Sequence, residues 1–360
     1  MGFHTVPHGI RAYGESLRQH SEDVDAARRY YNRNSAISWA DAGLLQLIHS
    51  AHDSTVTEVN VALDRLRPLC LTSAEELGRT ADRYASTDTD SARRLDAAYP
   101  APAPTFGPTI DDLKPFVGPY LSDPTVELKP PGKPPGFQDP LVVINTITNF
   151  LSPSWWINEA IKATTDINPA EEVANAFAGD WTRFAECSMV HQALGRFMKV
   201  LAFDIEQRRR ALFNANWTGN AARGASGYFH GLANSVSHQG RCLDELGAHY
   251  RTTAQGAWAA ATAATDLVHM IFDKLFWIGV EVAAGAVLAE TVVGPALFWS
   301  IAALQCADVV AEWGRLTKML NNVQHTIRLA GGSIMATVGA LSAPQQHPLP
   351  SGGYEYDPPR

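Results

Sequence analysis

The chain contains 360 residues, of which 46% are hydrophobic, and it carries a formal net charge of −8 at pH 7. A chain of this length and composition can bury one large core or two smaller ones. Because the sequence has no basic stripe to neutralise phosphates, its acidic balance excludes nucleic acid as an expected partner.

The first predicted element is a helix over residues 7–34. Thr5 can cap its N-terminus, and Pro7 occupies the first turn, where a missing N–H costs nothing. The apolar residues follow a seven-residue repeat made of Ile10, Tyr13, Leu17, Val24, Ala27 and Tyr31. Such a narrow and regular seam favours packing against partner helices over burial inside a large domain.

A second helix is predicted from about Leu44, after a turn around residues 35–43. Its apolar face consists of Val56, Val59, Leu63, Leu66, Leu77 and Tyr84. Pro68 is expected to kink or interrupt this helix, because proline lacks a backbone donor and clashes with the previous turn. Residues 1–99 are therefore predicted to form one antiparallel helical hairpin.

The first hairpin ends in the sequence Tyr84-Ala-Ser-Thr-Asp88. A tyrosine and an aspartate four residues apart share one helical face, where a ring and a carboxylate form a recognition patch. The alternative is an ordinary tyrosine on the core seam, followed by a solvated aspartate near a helix end. Spacing alone favours this alternative, because short motifs produce many false positives.

Residues 100–140 differ in character, since about a dozen of the 22 prolines fall in this stretch. Such a composition cannot sustain a helix or a sheet and is typical of a semi-extended linker. It therefore marks the boundary between the first hairpin and a second helical region over residues 141–265. A proline-rich tail over residues 342–360 is predicted to be disordered.

The second helical region is predicted to be a hairpin whose tip lies at Asn216-Trp217-Thr218-Gly219-Asn220. An apolar stripe precedes the tip at Trp181, Phe184, Ser188, His191, Leu194, Phe197, Leu201 and Ile205. Another stripe follows it at Ala222, Ala225, Phe229, Leu232, Val236, Leu243, Leu246 and Tyr250. Steps of three and four residues are typical of amphipathic helices. Gly219 gives the turn a backbone without the Cβ penalty, and Trp217 is expected to cover the open end.

Residues 266–341 are predicted to be helical, and the stretch 268–307 is the most apolar part of the chain. Gly294-Pro295 divides it, and neither half reaches the roughly 18–20 uninterrupted apolar residues of a membrane-spanning helix. Glu281 and Glu290 also lie inside it. A buried helical hairpin is favoured, while membrane insertion stays open because small residues allow close helix packing in lipid.

Catalytic motifs are absent from the sequence, which has no Gly-rich phosphate loop, nucleophile elbow or HExxH motif. No enzymatic activity, catalytic residue or cofactor is therefore expected. The densest histidine cluster, His49-x-x-His52-Asp53, has too few ligands in its neighbourhood to predict a metal site.

The four cysteines are widely spaced, at Cys70, Cys187, Cys242 and Cys306. They form no CxxC pair, so zinc is not expected. Cys187 and Cys242 lie on opposite arms of the second hairpin but at unequal distances from its tip. Buried thiols are favoured over a disulfide there, because a disulfide needs Cα atoms within about 7 Å of each other.

In combination these motifs resemble the substrates of type VII (ESX) secretion systems of actinobacteria. In that family a helical hairpin carries a Trp-x-Gly turn, which Trp217 and Gly219 match here. A Tyr-x-x-x-Asp/Glu export signal follows a helix in the same family, and Tyr84 and Asp88 match it. The joint occurrence of both motifs favours the export role of Tyr84 and Asp88 over the core-seam alternative.

The resemblance spans roughly half of the chain and implies a non-enzymatic protein that acts as a secreted effector or a cell-envelope interaction protein. The expected partner is the type VII secretion machinery, together with a dedicated chaperone, a second helical-hairpin protein or another copy of the chain. No basic segment followed by an apolar run opens the sequence, so no cleaved signal peptide is expected. The expected location is outside the cell or at the cell envelope.

The chain departs from the family in the placement of the two motifs. In paired substrates the motifs belong to two partner chains, and in single WxG proteins the export motif follows the hairpin that carries the turn. Here the export motif follows the first hairpin, so the two hairpins are hypothesised to dock within one chain, with Tyr84 and Trp217 at one end. Docking between two copies is the rival hypothesis.

Two other functions remain as alternatives. The stretch 268–307 would support a membrane-active or pore-forming protein if it inserts into lipid. The chain would otherwise be the delivery half of a toxin system, although the tail after Leu341 is short and proline-rich for a toxin domain.

Overall fold

The computed structural model describes residues 3–99, 123–140, 142–143, 169–287, 294–342 and 348–356. The protein is all-α, which confirms the predicted fold class, and a pair of two-residue strands is the exception within the described ranges. Residues 100–122 of the predicted linker (100–140), residues 144–168 and the turn over 288–293 lie outside the described residues.

The elements follow one another in a simple order. The first part of the chain contains β1 (His4–Thr5), α1 (Pro7–Asn34), a 3₁₀ helix (Gly43–Ile48), α2 (His49–Ser86), α3 (Thr89–Ala98) and a second 3₁₀ helix (Pro124–Glu127). The second part contains α4 (Pro169–Ala176), α5 (Trp181–Ala211), a π-helical turn (Leu212–Asn216), β2 (Trp217–Thr218), α6 (Asn220–Val287) and α7 (Gly294–Ser342).

Helices α1 and α2 pack antiparallel to each other. Arg11 near the start of α1 pairs with Asp82 near the end of α2, and Arg28 Nε lies 2.8 Å from Asp64 Oδ1 further along. All six residues of the seven-residue repeat in α1 are buried in the core. The repeat therefore faces partner helices, as a narrow apolar seam requires.

Helix α2 continues through Pro68, so the predicted interruption at this proline is wrong. Proline removes one backbone hydrogen bond from the helix. Leu63, Leu66, Leu69 and Cys70 are buried on both sides of it. The burial of this face holds the helix together across the missing bond, because packing contributes more to helix stability than any single backbone bond.

Helices α5 and α6 form the second antiparallel pair. Ring contacts join Phe184 to Tyr250, and the Arg209 guanidinium donates to Ser226 Oγ (2.5 Å) close to the turn. Both predicted apolar stripes are buried. The pair is close enough at Gly240 that an added Cβ would lie 2.9 Å from the carbonyl oxygen of Gly195.

The two pairs of helices share one core. The Tyr13 ring meets the Phe229 ring edge-on with 4.9 Å between centroids, and the Tyr13 hydroxyl donates to the carbonyl of Ile205 (3.3 Å). Further along, the Tyr31 hydroxyl lies 3.2 Å from His191 Nε2. Residues of α1 and α2 thus pack directly against residues of α5 and α6 within one chain.

Helix α6 is 68 residues long and continues past the α5 pairing to pack against α7. The predicted boundary at residue 265 falls inside this helix, where the backbone has no break. A continuous apolar stripe of Ala257, Ala261, Ala264, Val268 and Ile271 explains the continuity, because alanine favours helix and nothing in the stripe ends it. Within the described ranges, none of the helices combines the length and the apolar character needed to cross a membrane.

The C-terminal segment differs from its prediction. Residues 348–356 form neither helix nor strand, but both Tyr354 and Tyr356 are buried in the main core, so the prediction of disorder for 342–360 is wrong over this part. Composition identified the prolines but missed the two aromatic residues, which bury enough apolar surface to hold the segment in place.

Candidate functional site at the tip of the bundle

The Trp-x-Gly turn connects α5 to α6, where the sequence predicts the tip. After the π-helical turn the backbone becomes extended at Trp217 and reaches φ = +136° at Gly219, immediately before α6 begins at Asn220. A Cβ at Gly219 would also lie 2.7 Å from Asp96 Oδ1. Glycine is therefore needed here for both its left-handed backbone and its lack of a side chain.

The N-terminal segment clamps this turn. Strand β1 pairs antiparallel with β2, so that His4 lies opposite Thr218 and Thr5 opposite Trp217. The backbone N–H of Val6 donates to the carbonyl of Asn216 (2.6 Å). Sequence patterns could not reveal this pairing, because a two-residue strand is too short to show an alternation of apolar and polar residues.

Asp96 on α3 caps the start of α6 from a distant part of the chain. Its Oδ2 accepts from the N–H of Asn220 and its Oδ1 from the N–H of Ala221, both at 3.0 Å. The first turn of a helix has backbone donors without intrahelical partners and a positive dipole end, so a carboxylate is stabilising there. No local pattern around Asp96 signals this role, which only the approach of α3 to α6 creates.

Trp217 lies at the centre of the tip and is fully buried. The Phe213 ring stacks on it at 5.4 Å, and the Tyr84 ring approaches it edge-on with 6.0 Å between centroids. The two motifs, which lie on separate hairpins, are therefore in contact at one end of the bundle.

Tyr84 is buried, with 8% of its surface exposed. Its ring contacts Phe3 at 6.0 Å and Tyr356 at 5.9 Å, and the Tyr356 hydroxyl donates to the Tyr84 hydroxyl at 3.4 Å. Burial, followed by the hydrogen bond with Tyr356, raises the pKa of Tyr84 well above its usual range. The hydroxyl therefore stays protonated.

Asp88 lies outside the helix that carries Tyr84. Helix α2 ends at Ser86, Thr87 is extended, and Asp88 is the N-cap of α3, where its Oδ1 accepts from the N–H of Ser91 (2.9 Å). The Ser91 side chain, and after it this backbone hydrogen bond, lowers the pKa of the exposed Asp88 carboxyl. Aspartate is a preferred N-cap, which explains why the helix restarts here.

The predicted patch on one helical face is therefore wrong in its geometry. Tyr84 is buried in the core, whereas Asp88 is exposed to solvent. This is the geometry of the alternative interpretation, in which a core-seam tyrosine is followed by a solvated aspartate near a helix end. The two residues are near each other in sequence, but α2 ends between them, so their side chains do not share one helical face.

No family model, curated protein or solved structure matches this chain. The likeness to type VII secretion substrates therefore depends on the motif residues and on their contact at the tip.

The histidines of the cluster in α2 contact other side chains of the protein. His49 Nε2 lies 3.0 Å from Asp53 Oδ2 at the surface, whereas His52 is buried with its Nδ1 2.9 Å from the Tyr250 hydroxyl. Among the residues that the structure describes, no three His, Cys, Asp or Glu side chains are grouped to hold a metal ion.

The structure describes the side chains of three cysteines, and all three are buried and free: Cys70, Cys187 and Cys242. The Cys187 thiol lies 3.6 Å from the carbonyl oxygen of Ser35, across the contact between α5 and the end of α1. Burial raises the pKa of both Cys70 and Cys187 to about 12, which keeps these thiols protonated and unreactive.

Proposed function

We propose that this protein is a non-enzymatic substrate of a type VII (ESX) secretion system that acts outside the cell or at the cell envelope. The observation that carries the proposal is the ring contact between Tyr84 and Trp217, with 6.0 Å between centroids. These residues come from the two motifs that resemble the export signal and the hairpin turn of the family.

The packing of the hairpins supports the same proposal. In paired substrates of the family the two motifs come together when two chains form a bundle. Here α1 and α2 supply one half and α5 and α6 the other, joined by a shared core. The chain would then present a fused pair to the secretion machinery, without the second hairpin protein that a paired substrate requires.

The tip has features that a recognition surface could use. Asp88 and Asp90 place two exposed carboxylates at the start of α3, next to a tip whose interior is aromatic. Specific protein–protein interfaces commonly have charged residues at the rim and aromatic rings at the centre.

An export assay in a strain with an active type VII system tests the proposal. The double substitution Tyr84→Ala with Asp88→Ala is expected to abolish export, and its cellular amount is measured alongside because Tyr84 is buried in the core. The single substitution Asp88→Ala changes an exposed residue and is expected to lower export while the cellular amount of the protein stays unchanged. The matched control is Tyr30→Ala with Asp266→Ala, which removes the same residue types away from the tip and is expected to leave export unchanged. Export of the Tyr84/Asp88 variant at the parent level would contradict the proposal, as would an equal loss in the control.

A further inference from the structure

The C-terminal strap, residues 348–356, lies in a groove between α2 and α6. It runs from Ser235, whose Oγ donates to the carbonyl of Pro348 (2.7 Å), towards Tyr84 at the tip. Its sequence, Pro-Leu-Pro-Ser-Gly-Gly-Tyr-Glu-Tyr, combines turn-forming residues with two aromatic residues spaced by two. In an extended chain that spacing directs both rings to the same side.

Side chains of α2 and α6 hold the backbone of the strap. The Tyr228 hydroxyl donates to the carbonyl of Gly352 (2.9 Å), and the N–H of Tyr354 donates to Ser73 Oγ (2.9 Å). Glu76 Oε1 accepts from the N–H of Tyr356 at 3.3 Å. These bonds fix the register of the strap, and they would fit any extended segment with the same spacing of rings.

Both tyrosine rings of the strap contact other aromatic rings in the groove. The Tyr354 ring lies 5.5 Å from Phe229, and the Tyr356 ring stacks on Tyr99 at 5.9 Å with 5° between the planes. The Arg83 guanidinium lies 5.8 Å from the centre of the Tyr356 ring. Tyr356 is thus enclosed on several sides and forms the outer layer over Tyr84.

We propose that the strap is a removable cover, supplied by the same chain, that hides Tyr84 from partners until the strap leaves the groove. The masking of Tyr84 is independent of the export role, whereas its regulatory meaning rests on the function proposed above. A buried tyrosine cannot contact a secretion component, so recognition through Tyr84 requires that Tyr356 moves away.

The contacts of the strap are of a kind that can be released. The strap has no helical hydrogen bonds, and α2 and α6 each have another long helix as their main packing partner. When the strap leaves, Glu76 keeps its ion pair with Arg79 (2.6 Å), and Ser73 Oγ keeps its contact with the Tyr228 hydroxyl (3.3 Å). No carboxylate is left buried without a partner, so the cost of release is mainly the exposure of the two tyrosine rings.

The surroundings of Tyr84 show what release would uncover. A cavity of about 110 Å³ adjoins Tyr84 and Tyr356, and Arg83, Thr87, Ala92 and Leu95 complete its wall. This cavity is already partly open to solvent, and without Tyr356 it would widen beside Tyr84. Leu95 is already 42% exposed at its rim, and Asp88 lies just beyond. Release would therefore make the Tyr84 ring accessible beside the apolar side chains of Ala92 and Leu95.

Tyrosine nitration of the purified full-length chain, located by mass spectrometry of its peptides, tests the cover without any export assay. Tyr84 is expected to be protected in the parent protein and in Glu355→Ala, which changes an exposed residue between the two strap tyrosines. In the variant Tyr354→Ala with Tyr356→Ala, nitration of Tyr84 is expected to rise about tenfold or more, since two buried rings hold the strap closed. Adding excess synthetic peptide of residues 348–356 to this variant is expected to restore protection.

Tyr31 and Tyr250 are fully buried and serve as internal controls. If they become reactive together with Tyr84, the strap is an integral part of the core and the proposal is overturned. Protection of Tyr84 in the double variant would overturn it as well. A dimer in which Tyr84 becomes reactive on dilution would assign the strap to a second copy and overturn the assignment to the same chain.

The export assay separates the two proposals. If both hold, the variant Tyr354→Ala with Tyr356→Ala is exported at least as well as the parent. If Tyr84 becomes reactive but its replacement leaves export unchanged, the cover exists and the proposed export role fails. If replacement of Tyr84 abolishes export but Tyr84 stays protected in the strap variant, the export role holds and the cover fails.

Discussion

The buried histidines of the bundle sit in two different electrostatic settings. His52 and His191 lie among aromatic rings, and burial lowers the pKa of His52 to about 4 and that of His191 to about 3. His20 lies between two carboxylates, with its Nε2 2.8 Å from Asp204 Oδ2 and its Nδ1 3.4 Å from Asp23 Oδ2. Burial alone would lower the pKa of His20, but the hydrogen bonds to Asp204 and Asp23 outweigh it and raise this pKa.

The first prediction concerns stability in mild acid. Between about pH 4 and the usual histidine pKa of about 6.5, the unfolded chain binds protons that neutral His52 and His191 exclude in the folded chain. The free energy of unfolding is therefore expected to fall by about 2–4 kcal/mol from pH 7 to pH 5. Urea denaturation at both pH values measures the difference.

His20 acts in a separate pH window. Its raised pKa gives a stabilisation that is complete below about pH 6.5 and is lost as the pH rises through the folded value. It therefore adds no slope between pH 4 and pH 6.5. The variant His191→Phe keeps a ring in the aromatic cluster but cannot bind a proton, so it is expected to halve the loss between pH 7 and pH 5. Equal stability of the parent at both values would contradict the assignment.

At the scale of the helices, the pairing of α5 with α6 depends on small residues at their closest approach. At Gly240 an added Cβ would meet the carbonyl of Gly195 at 2.9 Å and the Lys199 Cγ at 3.0 Å. At Gly231, in the same helix, an added Cβ would meet no atom within 4 Å. The two glycines therefore separate the effect of helix contact from that of helix propensity.

The second prediction uses these glycines as a matched pair. Gly240→Ala is expected to destabilise the protein by about 1–3 kcal/mol, because the backbone of α5 would have to move away. Gly231→Ala is expected to stabilise it by about 0.5–1 kcal/mol, because alanine favours helix. Thermal or chemical denaturation of both variants measures the difference. Stabilisation of the protein by Gly240→Ala would show that α5 and α6 are further apart than the structure has them.

At the scale of the whole molecule, the central feature is that two hairpins share one core within a single chain. Tyr13 and Tyr31 of α1 reach rings of α5 and α6, and Asp96 of α3 holds the start of α6. These contacts join the part of the chain before the predicted proline-rich linker to the part after it. They satisfy the apolar seams of both hairpins without a second copy.

The third prediction follows from this internal pairing. The purified protein is expected to be a monomer at low concentration, with a mass near 39.1 kDa by light scattering. The apolar seams of α1, α2, α5 and α6 already have partners within the chain, so pairing these helices between two copies would gain little further burial. A strict dimer that persists on dilution would favour the rival hypothesis, in which the hairpins pair between two copies.

Local patterns predicted much of this architecture. The seven-residue repeat of α1 and the stripes on both sides of Trp217 fell on buried faces, because apolar residues at helical spacing must be covered. The turn at Gly219 also lies where its residues predict it. The interruption predicted at Pro68 and the disorder predicted for residues 348–356 are wrong. Composition alone cannot weigh a lost backbone bond, or the entropy of a flexible segment, against the burial of nearby side chains.

The sequence by itself determined the all-α class, the apolar faces of the long helices and the site of the Trp-x-Gly turn, because each depends on residues close together in the chain. Only the tertiary structure decided how the tip is assembled. Asp96 caps α6, Tyr84 touches Trp217, and Tyr356 covers Tyr84, and each of these contacts joins residues far apart in sequence. Such contacts leave no periodic trace, since they arise from the way the helices pack.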